Sequence, residues 1–254
     1  MEKVQPKKYL GQHFLCDENI ASKIVDSLSL DSHLVLEIGP GMGVLTKYLL
    51  PKYSESLQVV EIDTESVQYL QAHYPSLKII EGDFLKIDTS SIFNNPFSII
   101  GNFPYNISSQ ILFKTYENHQ QITEVVGMFQ KEVAERVVAK PGNKIYGILS
   151  VLLGLFYDIE YLFTVHEHVF NPPPKVKSAV IRLTHNNRTH EALDINLFTK
   201  VVKAGFNQRR KTLRNALSAF KEHFANVNPE YLTKRAEQLS VDEFIDLTLS
   251  IQSN

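Results

Sequence analysis

The stretch with the plainest capacity for chemistry is Asn102-Phe103-Pro104-Tyr105, which follows an apolar run at positions 98–100. An exocyclic amine on a heteroaromatic ring, such as that of adenine, is a poor nucleophile because its lone pair is delocalised into the ring. The Asn102 side-chain oxygen and the Pro104 backbone carbonyl can each accept one of the two amine protons. Held that way, the nitrogen moves toward tetrahedral geometry and its lone pair aims at an electrophilic methyl group. Proline fixes the loop, and Tyr105 offers a ring on which a base drawn out of its helix can stack. Standing alone, the same four residues are at least as readily an Asx-turn with a packed tyrosine.

Upstream context favours the chemical reading. Glu37-Ile38-Gly39-Pro40-Gly41-Met42-Gly43 sits at the end of an apolar run and leads into a helical pattern, the place where open α/β sheets bind ligands. Its spacing is GxGxG, one residue short of the GxGxxG dinucleotide fingerprint, and NAD stays open at this point. Glu61 lies 22 residues beyond Gly39 at the end of the next run, where a carboxylate can accept from a ribose diol of either NAD or S-adenosylmethionine. Asp83 ends the third run and can accept from an adenine amine, with Phe84 or a neighbour packing on the ring. The plainer alternative is two capping acids at βα turns. A second proline stretch, Asn171-Pro172-Pro173-Pro174, lacks a following aromatic, and Phe170 before it is either a second wall for a base or a core anchor.

The elements that would position these residues follow a βαβ rhythm. Apolar, β-branched runs at 34–38, 58–62, 78–80, 98–100, 124–129, 159–165 and 179–183 alternate with helical patterns at 19–28, 45–50, 64–73, 108–118, 131–139 and 148–156. Near-continuous hydrophobicity fits strands buried on both faces. Asp17 can cap the first helix and Pro51 can stop the second. The last two runs have no helix between them, so one strand is expected antiparallel at the sheet edge. The fold class is α/β: a doubly wound, mostly parallel, seven-stranded Rossmann-like sheet. After Thr184 the pattern becomes polar and then helical, at 193–203, 207–223, 229–239 and 241–251. The expected division is residues 1–184 for the sheet domain and 185–254 for a small all-helical C-terminal domain.

Composition narrows the function classes. The 254 residues are 43% hydrophobic and 21% charged, as in a globular protein. No window approaches the roughly 18–20 apolar residues of a membrane span, and Met1-Glu2-Lys3 does not begin a signal peptide; a cytoplasmic protein is expected. Cys16 is the single cysteine, which leaves no internal disulfide or thiolate cluster. His166 and His168 read as surface or packing residues, and no metal is expected. The net charge is −2, yet positions 200–221 hold seven cations and no carboxylate.

Taken in order, these stretches resemble the KsgA family of ribosomal RNA adenine dimethyltransferases along almost the whole chain. The matches are Gly11-Gln12-His13-Phe14-Leu15, the glycine loop from Glu37 to Gly43, Val60-Glu61-Ile62-Asp63, Gly82-Asp83-Phe84, the segment from Asn102 to Ser108, Gln130-Lys131-Glu132-Val133, Tyr146-Gly147 with Leu149-Ser150-Val151, the segment from Phe170 to Ser178, and that from Phe206 to Asn215. The resemblance implies an S-adenosylmethionine methyltransferase fold and dimethylation of N6 on two adjacent adenosines in a hairpin loop near the 3′ end of 16S ribosomal RNA. It also implies action as a monomer on the 30S particle and a part in small-subunit biogenesis. By the same resemblance His13, Leu15, Gly39, Glu61, Asp83 and Asn102 line the cofactor site, while Tyr105 and Phe170 flank the base. His13 stands where the family commonly has Asn, and Phe103 where it commonly has Leu.

Large-subunit methyltransferases of the macrolide-resistance type share the two loops. The stretch Phe206-Asn207-Gln208-Arg209-Arg210-Lys211-Thr212-Leu213-Arg214-Asn215 looks instead like the small-subunit family. On one helix, Val202, Phe206, Leu213, Leu217 and Phe220 would form an apolar stripe that leaves Arg210, Lys211 and Arg214 outward for RNA phosphates, with Arg209 inside it as a packing anchor. Solvated charge is the plain alternative. Two other functions stay open: an NAD-linked oxidoreductase, and an RNA-binding assembly factor whose catalysis is secondary.

Overall fold

Apolar runs that can be covered on both faces belong inside a sheet. The computed structural model describes residues 4–29 and 33–252; Met1-Glu2-Lys3 lies outside the described residues. Seven strands form one sheet: β1 (Val35–Ile38), β2 (Leu57–Glu61), β3 (Lys78–Glu81), β4 (Phe97–Asn102), β5 (Ile122–Gln130), β6 (Tyr157–Val165) and β7 (Ser178–His185). Their order is β3-β2-β1-β4-β5-β7-β6. The pairs β1/β2, β1/β4, β2/β3 and β4/β5 are parallel. The direction of winding reverses at β1 and β4, which opens a crevice beyond their carboxyl ends.

Strand β7 runs antiparallel to β5, with Phe129 opposite Ala179 and Gln130 opposite Ser178. The antiparallel strand is therefore one place in from the edge, not at it. Residues 178–181 of β7 are buried while most of β6 is half-exposed, so the more apolar strand takes the covered position.

Helix α1 (Glu18–Val25) starts at Asp17, whose carboxylate accepts from the Asn19 and Ile20 amides. In α2 (Thr46–Tyr53) Pro51 lies inside the helix instead of ending it. Proline there forfeits one bond to the Lys47 carbonyl, and only two residues of helix follow, so the cost stays local. Asp63 caps α3 (Thr64–His73). Next come α4 (Ser108–Glu117), α5 (Lys131–Val137) and α6 (Ile148–Phe156). A pair of two-residue strands, Phe14–Leu15 and Phe170–Asn171, is also present, and no periodicity in the sequence announces it.

Two compact units divide the chain: Met1–Ala134 with Asp158–His185, and Glu135–Tyr157 with Asn186–Asn254. The expected boundary at 184/185 falls one residue before the last of three crossings, at 185/186. The first, at 134/135, sends α6 into the helical unit, where it packs with α7 (Ile195–Asn207) and α10 (Val241–Gln252). Seven of the nine residues of α6 are buried, and a helix apolar on nearly all sides has to be enclosed rather than laid on a sheet. The helical unit also contains α8 (Leu213–Ala216) and α9 (Pro229–Thr233). No helix among the described residues is long and apolar enough to cross a membrane.

Candidate active site

The crevice beyond β1 and β4 is a cleft open to solvent, contained within the first unit. His13, Gly39, Glu61, Asp83, Asn102, Pro104 and Tyr105 all line it. Gly39 and Gly41 have φ of 66° and 56°, values that favour glycine. A Cβ on Gly39 would meet nothing nearer than Pro104 Cδ at 4.0 Å, so the backbone there faces the cleft; on Gly41 it would lie 2.8 Å from the Phe14 ring.

Two carboxylates, Glu61 and Glu37, flank the glycine loop, and Asp83 lines the same cleft. Glu61, 4% exposed, receives the Ile62 and Asp63 amides on Oε1, both at 2.9 Å, and the Gly41 amide on Oε2 at 3.0 Å. Those bonds leave one acceptor site, on Oε2, toward the cleft. Burial raises its pKa against the pull of the amides. Glu37 is 1% exposed and takes the Thr46 hydroxyl at 2.6 Å. Burial, with the Glu61 charge adding to it, pushes Glu37 up to about 8. Asp83 Oδ1 accepts from the Leu85 amide at 3.0 Å. It is better solvated than the two glutamates.

Asn102 ends β4 with its orientation fixed: Nδ2 donates to the His13 carbonyl at 2.9 Å, which leaves Oδ1 as the free acceptor. The Pro104 carbonyl receives the Ile107 amide at 3.2 Å and keeps a second lone pair. Tyr105 bonds the Ser178 hydroxyl at 2.5 Å, and its ring lies 5.5 Å from that of His13. His13 Nδ1 in turn is 2.8 Å from the Pro172 carbonyl. Phe103 fits because Gly101 and Gly127 pair across β4 and β5; a Cβ on either would come within 2.6 and 2.3 Å of its ring. The larger side chain fills a groove those glycines make, and holds Asn102 and Pro104 on either side.

Leu15 and Phe170 do not line the cleft. They are paired opposite one another, as are Phe14 and Asn171, and successive side chains of a strand point to opposite faces. Phe14 faces the cleft, so Leu15 and Phe170 turn into the apolar cluster with Val165 and Ile24.

A sequence model described as ribosomal RNA adenine dimethylase matches residues 3–253. The chain belongs to the ribosomal RNA adenine dimethylase family. The chain is 63% identical to the ribosomal RNA small subunit methyltransferase A of Cytophaga hutchinsonii, covering 98% of each protein. Against the same-named protein of Flavobacterium johnsoniae the identity is 57%, over 100% of this chain and 98% of the other. A crystal structure of a dimethyladenosine transferase from Plasmodium falciparum superposes with a TM-score of 0.80 at 27% identity, covering 94% of this chain and 98% of that one. The 23S rRNA methyltransferase ErmE, at 22% identity and a TM-score of 0.69, covers 94% and 100% and shares the fold. A dimethylase of this family takes its methyl groups from S-adenosylmethionine, and the NAD reading falls.

The dimethylase cleft also has supports that the sequence did not single out. Lys7 bonds Asp63 and Glu65, the latter at 3.1 Å, and Gln12 reaches Asp63 at 3.3 Å. Together they strap residues 7–12 to the end of β2. Lys114 on α4 donates to the carbonyls of Phe84 at 2.7 Å, Leu85 at 3.2 Å and Ile87, tying down the loop after Asp83. Partners 56 and about 30 residues apart in sequence leave no local signature. In the helical unit the expected helix at 207–223 is broken. A turn follows Asn207, and the Leu213 amide bonds the Lys234 carbonyl at 2.8 Å, so a tertiary acceptor outcompetes the helical one. Arg210, Lys211 and Arg214 are exposed and Arg209 is half-buried, the arrangement expected of them without the continuous helix.

Proposed function

We propose that this chain dimethylates N6 of two adjacent adenosines in a hairpin loop near the 3′ end of small-subunit (16S) ribosomal RNA. The observation carrying this is the Asn102 amide, pinned by its Nδ2 to the His13 carbonyl so that Oδ1 and the Pro104 carbonyl are both left to accept. Two acceptors suit the two protons of a primary aromatic amine. S-adenosylmethionine, when bound, supplies a methyl group on a sulfonium. His13, Gly39, Glu61, Asp83 and Asn102 are the residues that would hold it, with Leu15 packing behind them. The room a Cβ on Gly39 would have, with Pro104 Cδ no nearer than 4.0 Å, and the single acceptor site left on Glu61 Oε2 suit a nucleoside laid on the glycine loop.

Asn102 and Pro104 draw the amine protons out of the ring plane as the nitrogen takes on positive charge, and the proton it sheds passes to solvent. After one transfer a single N–H remains, so the second methylation relies on one of the two acceptors. Tyr105 stacks on the extruded adenine, its hydroxyl held by Ser178, while Phe170 backs that wall from the core. Arg210, Lys211 and Arg214 contact phosphates. High identity to proteins named for the small subunit favours that substrate over the large one. The same reading assigns a cytoplasmic monomer acting on the 30S particle during its biogenesis.

Incubation with labelled S-adenosylmethionine and under-methylated small subunits, followed by nucleoside mapping by mass spectrometry, is expected to place dimethyladenosine at two adjacent positions. Label in large-subunit RNA alone, or none, would overturn the substrate. Glu61→Gln turns one acceptor oxygen into a donor among three backbone amides. Cofactor affinity should fall roughly a hundredfold, the worth of about 3 kcal/mol of charge-assisted hydrogen bonding. An unaltered Kd by calorimetry would remove Glu61 from the cofactor site.

A further inference from the structure

We infer that the loop at residues 140–145 is a second phosphate-binding element, built onto the basic turn after α7 by Arg209. This rests on the reading of the chain as a ribosomal RNA enzyme. All the residues concerned lie within the helical unit. The Arg209 guanidinium donates to the Lys144 carbonyl at 2.5 Å, and its Nε lies 3.6 Å from Glu237. Glu237 thus offsets the Arg209 charge, and Arg209 spends its donors inside the protein.

The loop is held at several further points. The Gly142 amide bonds the Glu237 carbonyl at 2.7 Å, and within the loop the Asn143 amide bonds the Lys140 carbonyl at 3.2 Å. The Asn143 side chain receives the Ile145 amide at 3.1 Å. Residues 140–145 are nonetheless exposed throughout. A loop whose backbone is fixed by these bonds, yet which covers no core of its own, roots its exposed side chains at set points. Two of those side chains are Lys140 and Lys144.

Charge identifies the partner. Neither 140–147 nor 207–221 contains a carboxylate. Lys140, Lys144, Arg210, Lys211 and Arg214 have no ion-pair partner among the described residues. Five uncompensated cations on two mutually tethered segments fit a chain of phosphates, each cation displacing a counterion when RNA binds. Preorganisation lowers the ordering cost that a free lysine-bearing loop would meet on binding.

The test compares wild type with the double variant Lys140→Gln/Lys144→Gln, binding fluorescently labelled under-methylated small subunits over a range of monovalent salt at constant magnesium. Two lost phosphate contacts should lower the magnitude of the slope of log affinity against log salt by about 1.4 to 1.8, with weaker binding at every salt. Cofactor affinity and the thermal midpoint serve as controls for folding. An unchanged slope overturns the inference, and so does weaker binding at the wild-type slope, because that contact would not be to phosphate. If wild type itself binds small subunits without salt dependence, the ribosomal reading fails first.

Discussion

Asn102→Ala is expected to lower single-turnover methylation of small subunits by roughly a hundred- to a thousandfold, the range seen when one preorganised polar group facing developing charge is removed. Alanine deletes both functions of the amide at once. Oδ1 no longer accepts from the adenine amine, and the His13 carbonyl loses the N–H that ties it to β4. Asn102→Asp separates the two. A carboxylate still accepts from the amine but cannot donate to His13, so the expected order of rates is Asn, then Asp, then Ala. If Asp and Ala are equally slow, the amide matters as an anchor for the segment around His13. Activity of the Ala variant within about threefold of wild type would end the amine-positioning role altogether. Subunit affinity and the melting temperature should hardly move, since Asn102 is a half-buried strand end and no part of the apolar cluster.

The sheet was legible because burial on both faces writes itself as unbroken apolar runs, and all seven strands lie where such runs stand. Legibility failed where a choice depended on partners far along the chain. Pattern alone could not say that β7 is more fully covered than β6, or that α6 is enclosed by α7 and α10 instead of lying on the sheet. The helix expected at 207–223 broke because the Leu213 amide found the Lys234 carbonyl, an event with no trace in local periodicity.

The site divides along the same line. Residues at strand ends or in the turns after them (Gly39, Glu61, Asp83, Asn102, Pro104 and Tyr105) gather in the cleft, because in a parallel sheet every carboxyl end opens on one side. Leu15 and Phe170 were harder: a two-residue strand has no period from which to tell its faces. They turned out on the core side while Phe14 faces the cleft. His13 shows the limit most clearly. Its ring meets the Pro172 carbonyl, 159 residues away, and its own carbonyl orients Asn102, so its place is explained only by the fold.

Glu37 carries the other large expected effect, on stability instead of rate. Its side chain is buried beside Glu61 and its folded pKa stands at about 8, against 4.5 for the exposed group. Between those values the folded chain keeps a proton that the unfolded chain releases. Stability from this group is therefore whole below about pH 4.5, declines as pH rises, and is fully lost above about pH 8. Over that window the loss is about 5 kcal/mol, at about 1.36 kcal/mol for each pKa unit. Glu37→Gln is close in shape to the protonated acid and can still accept the Thr46 hydroxyl, but it has no proton to lose. Wild type and variant should unfold alike near pH 4.5 and diverge above it, the variant melting roughly 10 °C higher at pH 8.5. Parallel curves of melting temperature against pH would show that Glu37 is already ionised in the folded protein, with the Thr46 hydroxyl outweighing both burial and the Glu61 charge.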